Sequence, residues 1–164
     1  MSSVQKWLTD ELRSKIDSHL AKYPQDQRQA ALIPVLHIAQ EENNGHLTKE
    51  ILHEVAEYIQ IPPISALEAA SFYSMFELEP VGKYVINICT NVSCMLRGAE
   101  EIVAAMEDHL GIKLGETTAD GKFTMKVEEE CLAACSSGPV MTVNGHYHER
   151  LTPESALEIL KGLE

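Results

Sequence analysis

Positive charge is scarce in this chain. Its 164 residues include 13 lysines and arginines against 25 aspartates and glutamates, a formal net charge of −12 with histidine neutral. Nucleic acids and anionic membrane surfaces are themselves polyanions, so this balance excludes both as the main partner and leaves a charged protein partner open. Long apolar runs are missing as well. No stretch approaches the roughly eighteen apolar residues of a membrane span. The opening Met-Ser-Ser-Val-Gln-Lys-Trp lacks the apolar core of a secretory signal. The expectation is a cytosolic chain with no membrane insertion of its own.

Several chemical signatures are absent too. There is no Cys-x-x-Cys, which a thioredoxin-type dithiol needs, and no His-Glu-x-x-His for a catalytic zinc. No glycine-rich nucleotide loop occurs, and no Ser-His or Cys-His pairing is evident from spacing, so independent hydrolysis is not expected. Internal repeats, low-complexity tracts and long linkers are also lacking. With 45% hydrophobic residues the chain can bury a core, either as one ordinary domain or as two small ones.

What is present is a set of four cysteines with none left over. Cys89 and Cys94 enclose Thr-Asn-Val-Ser, and Cys131 and Cys135 enclose Leu-Ala-Ala. In a reducing compartment two tight pairs, far apart in sequence, point to a four-thiolate metal site more than to disulfides. Spacing leaves the metal open. An iron–sulfur cluster and a structural zinc both accept such pairs, and the pattern differs from plant-type ferredoxin spacing. Rieske-type ligation needs histidines in the cluster motifs, and these contain none. His146 and His148 share one hairpin face and read as solvated residues.

In the first half, apolar residues from Val4 to Leu20 recur at helical spacing, with Tyr23-Pro24 as the stop. A second helical stretch runs from Asp26 to Glu42, where Pro34 marks a bend or the true first turn. Thr48 suits an N-cap, with Leu47 and Leu52 placed as a hydrophobic staple. A fourth helix from about Ser65 carries Leu67, Ala70, Phe72 and Tyr73 toward Met75-Phe76, all expected in the core. Four helices with short loops make a small bundle, residues 1–80.

After Pro80 the period changes to two. Tyr84 to Cys89 reads as a strand and Met95 to Leu110 as a helix, with Leu96, Ala99, Ile102, Val103, Met106 and Leu110 inward. That would put Cys94 near a helix N-terminus, where N–H groups favour a thiolate. Hairpins are expected around Asp120-Gly121 and Asn144-Gly145, and a last helix capped by Thr152 with Pro153 in its first position. Residues 81–164 thus form a small mixed sheet covered by two helices, with both cysteine pairs at one sheet end. The small residues Thr90, Ser93, Ala133, Ala134, Ser136, Ser137 and Gly138 let backbone amides approach sulfur. The acidic run Glu128-Glu129-Glu130, if close by, would lower a reduction potential.

Several segments together resemble one known family. They are Ile61-Pro62-Pro63, Ala70-Ser71-Phe72-Tyr73-Ser74-Met75-Phe76, Pro80-Val81-Gly82-Lys83-Tyr84, Cys89-Thr90-Asn91, Cys94-Met95-Leu96-Arg97-Gly98-Ala99, Asp120-Gly121-Lys122-Phe123-Thr124 and Leu151-Thr152-Pro153-Glu154. The family is that of the 24 kDa subunits of respiratory complex I, NADH:quinone oxidoreductase, which are thioredoxin-like [2Fe-2S] ferredoxins. The resemblance runs from the second helix to the last. It implies an α/β chain in which an N-terminal helical bundle is followed by a thioredoxin-like [2Fe-2S] domain. It implies that Cys89, Cys94, Cys131 and Cys135 are the ligands of one [2Fe-2S] cluster, the first pair on one iron and the second on the other.

The cluster would exchange one electron with the FMN of a partner flavoprotein subunit of the 51 kDa type, which also binds NADH and performs the hydride chemistry. Other peripheral-arm subunits are implied as further partners, in a complex held on the cytoplasmic face of the inner membrane. A close variant is the same subunit type in an NAD-linked hydrogenase or formate dehydrogenase. A zinc-stabilised interaction module and a free ferredoxin or thiol oxidoreductase are the readings from other classes. The chain departs from the family at Ser93, often Pro, at Ala133, often Gly, and at His46, often Trp. Pro139 falls where thioredoxin-like folds commonly place a cis-proline, so the resemblance raises a cis Gly138–Pro139 bond, while the sequence leaves cis and trans both open.

Overall fold

The computed structural model describes residues 7–127 and 131–163. Val4 and the run Glu128-Glu129-Glu130, singled out above, lie outside the described residues. The chain divides at Pro80/Val81 into two compact units.

In the first unit, α1 (Asp10–Leu20) starts at Thr9, whose hydroxyl accepts the Leu12 N–H. A 3₁₀ helix (Gln25–Ala31) leads into α2 (Leu32–Glu42), so Pro34 sits in a first turn, where its missing N–H costs nothing. In α3 (Lys49–Ile59) the Thr48 hydroxyl accepts the Ile51 N–H, and Gln60 ends the helix in the left-handed region at φ 61°. Arg28 donates to the Tyr58 and Ile59 carbonyls, which the end of α3 leaves without helical partners. Leu47 and Leu52 are both buried, as a staple requires.

The helix α4 (Pro63–Phe72) departs from expectation. Of the six residues placed in the core, Ala70 and Phe76 are buried, whereas Leu67, Phe72, Tyr73 and Met75 are exposed, Phe72 by 77%. The helix packs through its small side, Ala66 and Ala70, and this turns the large side chains of the same periodic pattern outward.

The second unit is built on a four-stranded mixed sheet. Its strands are β1 (Tyr84–Ile88), β2 (Phe123–Met125), β3 (Val140–Val143) and β4 (His146–Glu149), in the order β2-β1-β3-β4. The β1–β2 pair is parallel, with Tyr84 opposite Phe123, and the other pairs are antiparallel. Ile86, Ile88, Phe123, Met125, Met141 and Val143 line one face and pack with Ile102 and Met106 of α6 (Ala99–Leu110) and Ala156 and Leu160 of α7 (Pro153–Leu163). Gly82 enters this sheet where a Cβ would stand 2.9 Å from the Phe123 carbonyl carbon.

Asn144-Gly145 closes the β3–β4 hairpin with both residues at positive φ. At Asp120-Gly121 the chain turns and its arms pair antiparallel, through a bridge between Thr117 and Thr124 and through the Thr118 N–H on the Phe123 carbonyl and the Met125 N–H on the Glu116 carbonyl. The strand beyond that turn pairs with β1 on its other side. The Thr152 hydroxyl accepts the Ser155 N–H at 3.3 Å, and Pro153 opens α7. The Gly138–Pro139 bond is cis.

Candidate metal centre

Both cysteine pairs lie at the end of the sheet where β1 finishes and β3 begins. Cys89 follows β1 directly, and its N–H donates to the Val140 carbonyl at 3.0 Å, one more rung of the β1–β3 ladder. Cys94 lies in α5 (Val92–Met95), a single turn that starts at Asn91. Cys131 and Cys135 bracket the loop before β3, and Cys135 opens a 3₁₀ turn, Cys135–Ser137.

The expected long helix from Met95 to Leu110 is therefore two helices. Gly98, at φ +93°, breaks it, and Leu96 falls in the break, 77% exposed where it was expected inward. Cys94 is not at the N-terminus of a long helix, and one turn has little dipole to offer it.

All four thiols are free, and they belong to one network. Cys89 feels both Cys94 and Cys131, Cys94 feels Cys89 and Cys135, and the Cys131 and Cys135 Sγ atoms are 3.6 Å apart. The pairs differ in access, because Cys89 and Cys94 are buried and Cys131 and Cys135 are exposed.

Their acidities differ as well. Burial opposes ionisation of Cys89, but N–H donation from Leu132 and Asn91, with the two neighbouring thiols, brings its pKa below the ordinary thiol value. Burial and the adjacent Cys89 raise that of Cys94. For Cys131 the Ala133 N–H acts downward, yet Cys135 and partial desolvation leave the pKa raised.

These residues fit a thiolate-held cluster. Such a cluster needs N–H donors to offset buried negative charge and room beside the sulfurs. Leu132 and Asn91 supply N–H groups to Cys89, Val140 to Cys94, and Ala133 to Cys131 Sγ at 3.3 Å. Gly138 supplies the room, since a Cβ there would stand 2.9 Å from Cys94 Sγ. Among the described residues, no group of three or more ligand side chains is gathered for a single metal ion.

Sequence reasoning singled out the four cysteines and the small residues around them, and missed two supporting side chains. Arg97 Nη1 donates to the Gly138 and Ser136 carbonyls. The Tyr147 hydroxyl donates to the Leu132 carbonyl at 3.1 Å, steadying the peptide whose N–H, that of Ala133, serves Cys131 Sγ. Each joins segments far apart in sequence, and no local signal marks it. His146 and His148 lie on β4 outside the thiol network.

A small mixed sheet with two helices on one face and a network of four thiols at one end defines a thiolate-site α/β protein. More narrowly, the chain belongs to the thioredoxin-like [2Fe-2S] ferredoxin family, whose model matches residues 16–164. It is 45% identical over 152 residues to "NADH dehydrogenase [ubiquinone] flavoprotein 2, mitochondrial" of Dictyostelium discoideum, covering 93% of this chain and 61% of that protein. It is 43% identical over 145 residues to the E-type chain of the NADH-quinone oxidoreductase of Rickettsia conorii, covering 88% of this chain and 86% of that one. A solved NAD+-reducing [NiFe]-hydrogenase in the air-oxidised state shares the fold, with a TM-score of 0.66 and 22% identity over 78% of this chain and 22% of that chain.

Proposed function

We propose that this chain is the electron-transfer subunit of an NADH:quinone oxidoreductase of the complex I type. In this reading Cys89, Cys94, Cys131 and Cys135 hold one [2Fe-2S] cluster that exchanges one electron with the FMN of a partner flavoprotein subunit. One observation carries it: two cysteine pairs far apart in sequence come together at one end of the sheet, close enough to act on one another's acidity, with the Ala133 N–H on Cys131 Sγ and Gly138 packed against Cys94 Sγ. The names of its relatives, components of NADH dehydrogenases, support the same assignment. When bound, the cluster supplies a one-electron redox couple.

The chain's own residues set the conditions for that couple. Amides of Leu132, Asn91, Val140 and Ala133 donate toward the sulfurs and stabilise negative charge there without a proton. Buried Cys89 and Cys94 keep water from one side, while exposed Cys131 and Cys135 open the other toward a partner. Hydride chemistry belongs to the flavoprotein subunit, which binds FMN and NADH, in keeping with the lack of a glycine-rich nucleotide loop here. The chain counts as an enzyme only as part of that complex. Other peripheral-arm subunits are further partners, and they hold it on the cytoplasmic face of the inner membrane. No described helix is long and apolar enough to cross the membrane itself. Residues 1–80 and 81–164 are its two domains in this reading.

Purification from native cells tests the proposal. The expected result is co-purification with an FMN-containing subunit, two irons and two sulfides per chain, and an S = 1/2 EPR signal on dithionite reduction. An iron-free protein from iron-replete cells would overturn it, and a nickel-iron catalytic subunit in place of quinone-linked partners would move the chain to a hydrogenase. Cys131→Ser should lose iron and lower the unfolding midpoint of residues 81–164, because ligation and folding are coupled. Normal iron content in that variant would contradict the ligand assignment.

A further inference from the structure

We propose that Arg97 is a positioning residue for the four-thiol site: its guanidinium reaches from the segment carrying Cys94 to the Ser136 and Gly138 carbonyls and holds the loop of the second cysteine pair against the first. The proposal rests on the reading of the four cysteines as one metal site.

Arg97 follows Cys94 by one turn, and its own N–H donates to the Cys94 carbonyl at 3.0 Å. Nη1 donates to the Gly138 carbonyl at 3.1 Å and to the Ser136 carbonyl at 3.4 Å, so both acceptors lie just beyond Cys135 in the chain. The same Gly138 faces Cys94 Sγ so closely that a Cβ could not fit without displacement. The Gly138 peptide is thus fixed from two sides by residues of one turn, Cys94 and Arg97. Of the two contacts, the Arg97 link joins the pairs without using a sulfur atom, so it acts before any metal binds. Arginine suits the task, since its planar fork offers several N–H donors in fixed geometry and keeps its charge at any relevant pH. A lysine ammonium is a point charge without that fork. The fixed cation also favours added negative charge at the site.

Full-length wild type, Arg97→Lys and Arg97→Gln test the proposal. The measurements are iron release to excess chelator, EPR-monitored reduction potential, and Cd²⁺ titration of the apo-proteins followed by thiolate-to-cadmium absorption. In Arg97→Gln, iron release about tenfold faster, Cd²⁺ binding about tenfold weaker and a more negative potential are expected, the usual size for a residue that orients metal ligands. In Arg97→Lys, faster release with a potential near wild type is expected. Release and Cd²⁺ affinity of Arg97→Gln both within about twofold of wild type would overturn the proposal. A lowered apo-protein melting temperature with unchanged Cd²⁺ affinity and potential would overturn it too, by reducing Arg97 to a packing role. Should circular dichroism show Arg97→Gln unfolded, the Arg97→Lys release rate and Cd²⁺ affinity decide by the same margin. A wild type that takes up no iron would fail the cluster reading alone and leave the Cd²⁺ measurements to judge Arg97.

Discussion

Ala133 sits between Cys131 and Cys135 with φ at 58°, a conformation that glycine adopts freely and that the alanine Cβ resists. Its N–H donates to Cys131 Sγ at 3.3 Å, and that N–H is oriented by the residues before it, not by this φ. Ala133→Gly should therefore keep the hydrogen bond and relieve roughly 1 kcal/mol of strain, partly offset by the greater freedom of the unfolded chain. The expected outcome is a higher unfolding midpoint for apo-protein residues 81–164 with an unchanged EPR spectrum in the holo-protein; a lower midpoint would show that Ala133 packs to more effect than it strains. The cysteines as a candidate site were readable from spacing, because closely spaced thiol pairs are a common pattern for soft-metal ligands. What surrounds them was not, because the Leu132 amide, the Arg97 fork and the Tyr147 hydroxyl act across 15 to 43 residues of chain.

At the scale of elements, α3 and α7 were legible because their starts are written in single residues, Thr48 and Thr152, whose hydroxyls take the N–H groups three places on. Thr48→Ala should cost about 1 kcal/mol, the ordinary value of an N-cap, and lower the unfolding midpoint of residues 1–80 in urea. The break between α5 and α6 was harder to read, since Leu96 fits the helical period and only Gly98 interrupts it. The parallel β1–β2 pairing was harder still, because strand direction is decided by what lies between the strands, not within them.

The chain after α6 offers a test of charge. Glu107 accepts hydrogen bonds from Lys113 Nζ at 2.7 Å and the Leu114 N–H at 3.1 Å, which hold its pKa below the ordinary 4.5. A depressed folded-state pKa contributes stability above the unfolded value, lost as pH falls through the folded one. Apo-protein residues 81–164 should therefore lose stability below about pH 4.5, and Glu107→Gln should flatten that dependence. An equally steep dependence in the variant would assign it to other carboxylates.

Among the described residues the two units have separate main hydrophobic cores with no residue in common. One gathers Leu36, Val55 and Ile59 with their neighbours before Pro80, and the other gathers Ile86, Met106 and Leu160 after it. The thiols and their amide donors all lie in the second unit, so the free energy of metal binding is added to that unit's folding alone. The sole tryptophan, Trp7, is partly buried against the first core and so reports on that core by fluorescence, while circular dichroism sees both units. Denaturation should resolve two steps. Removing the metal should shift the step that fluorescence does not see and leave the Trp7 transition in place. Leu36→Ala, a cavity in the first core costing about 2–5 kcal/mol, should do the reverse. A single transition moved by both changes would mean that the two cores unfold as one cooperative body, and the proposed division at Pro80 would then describe packing only.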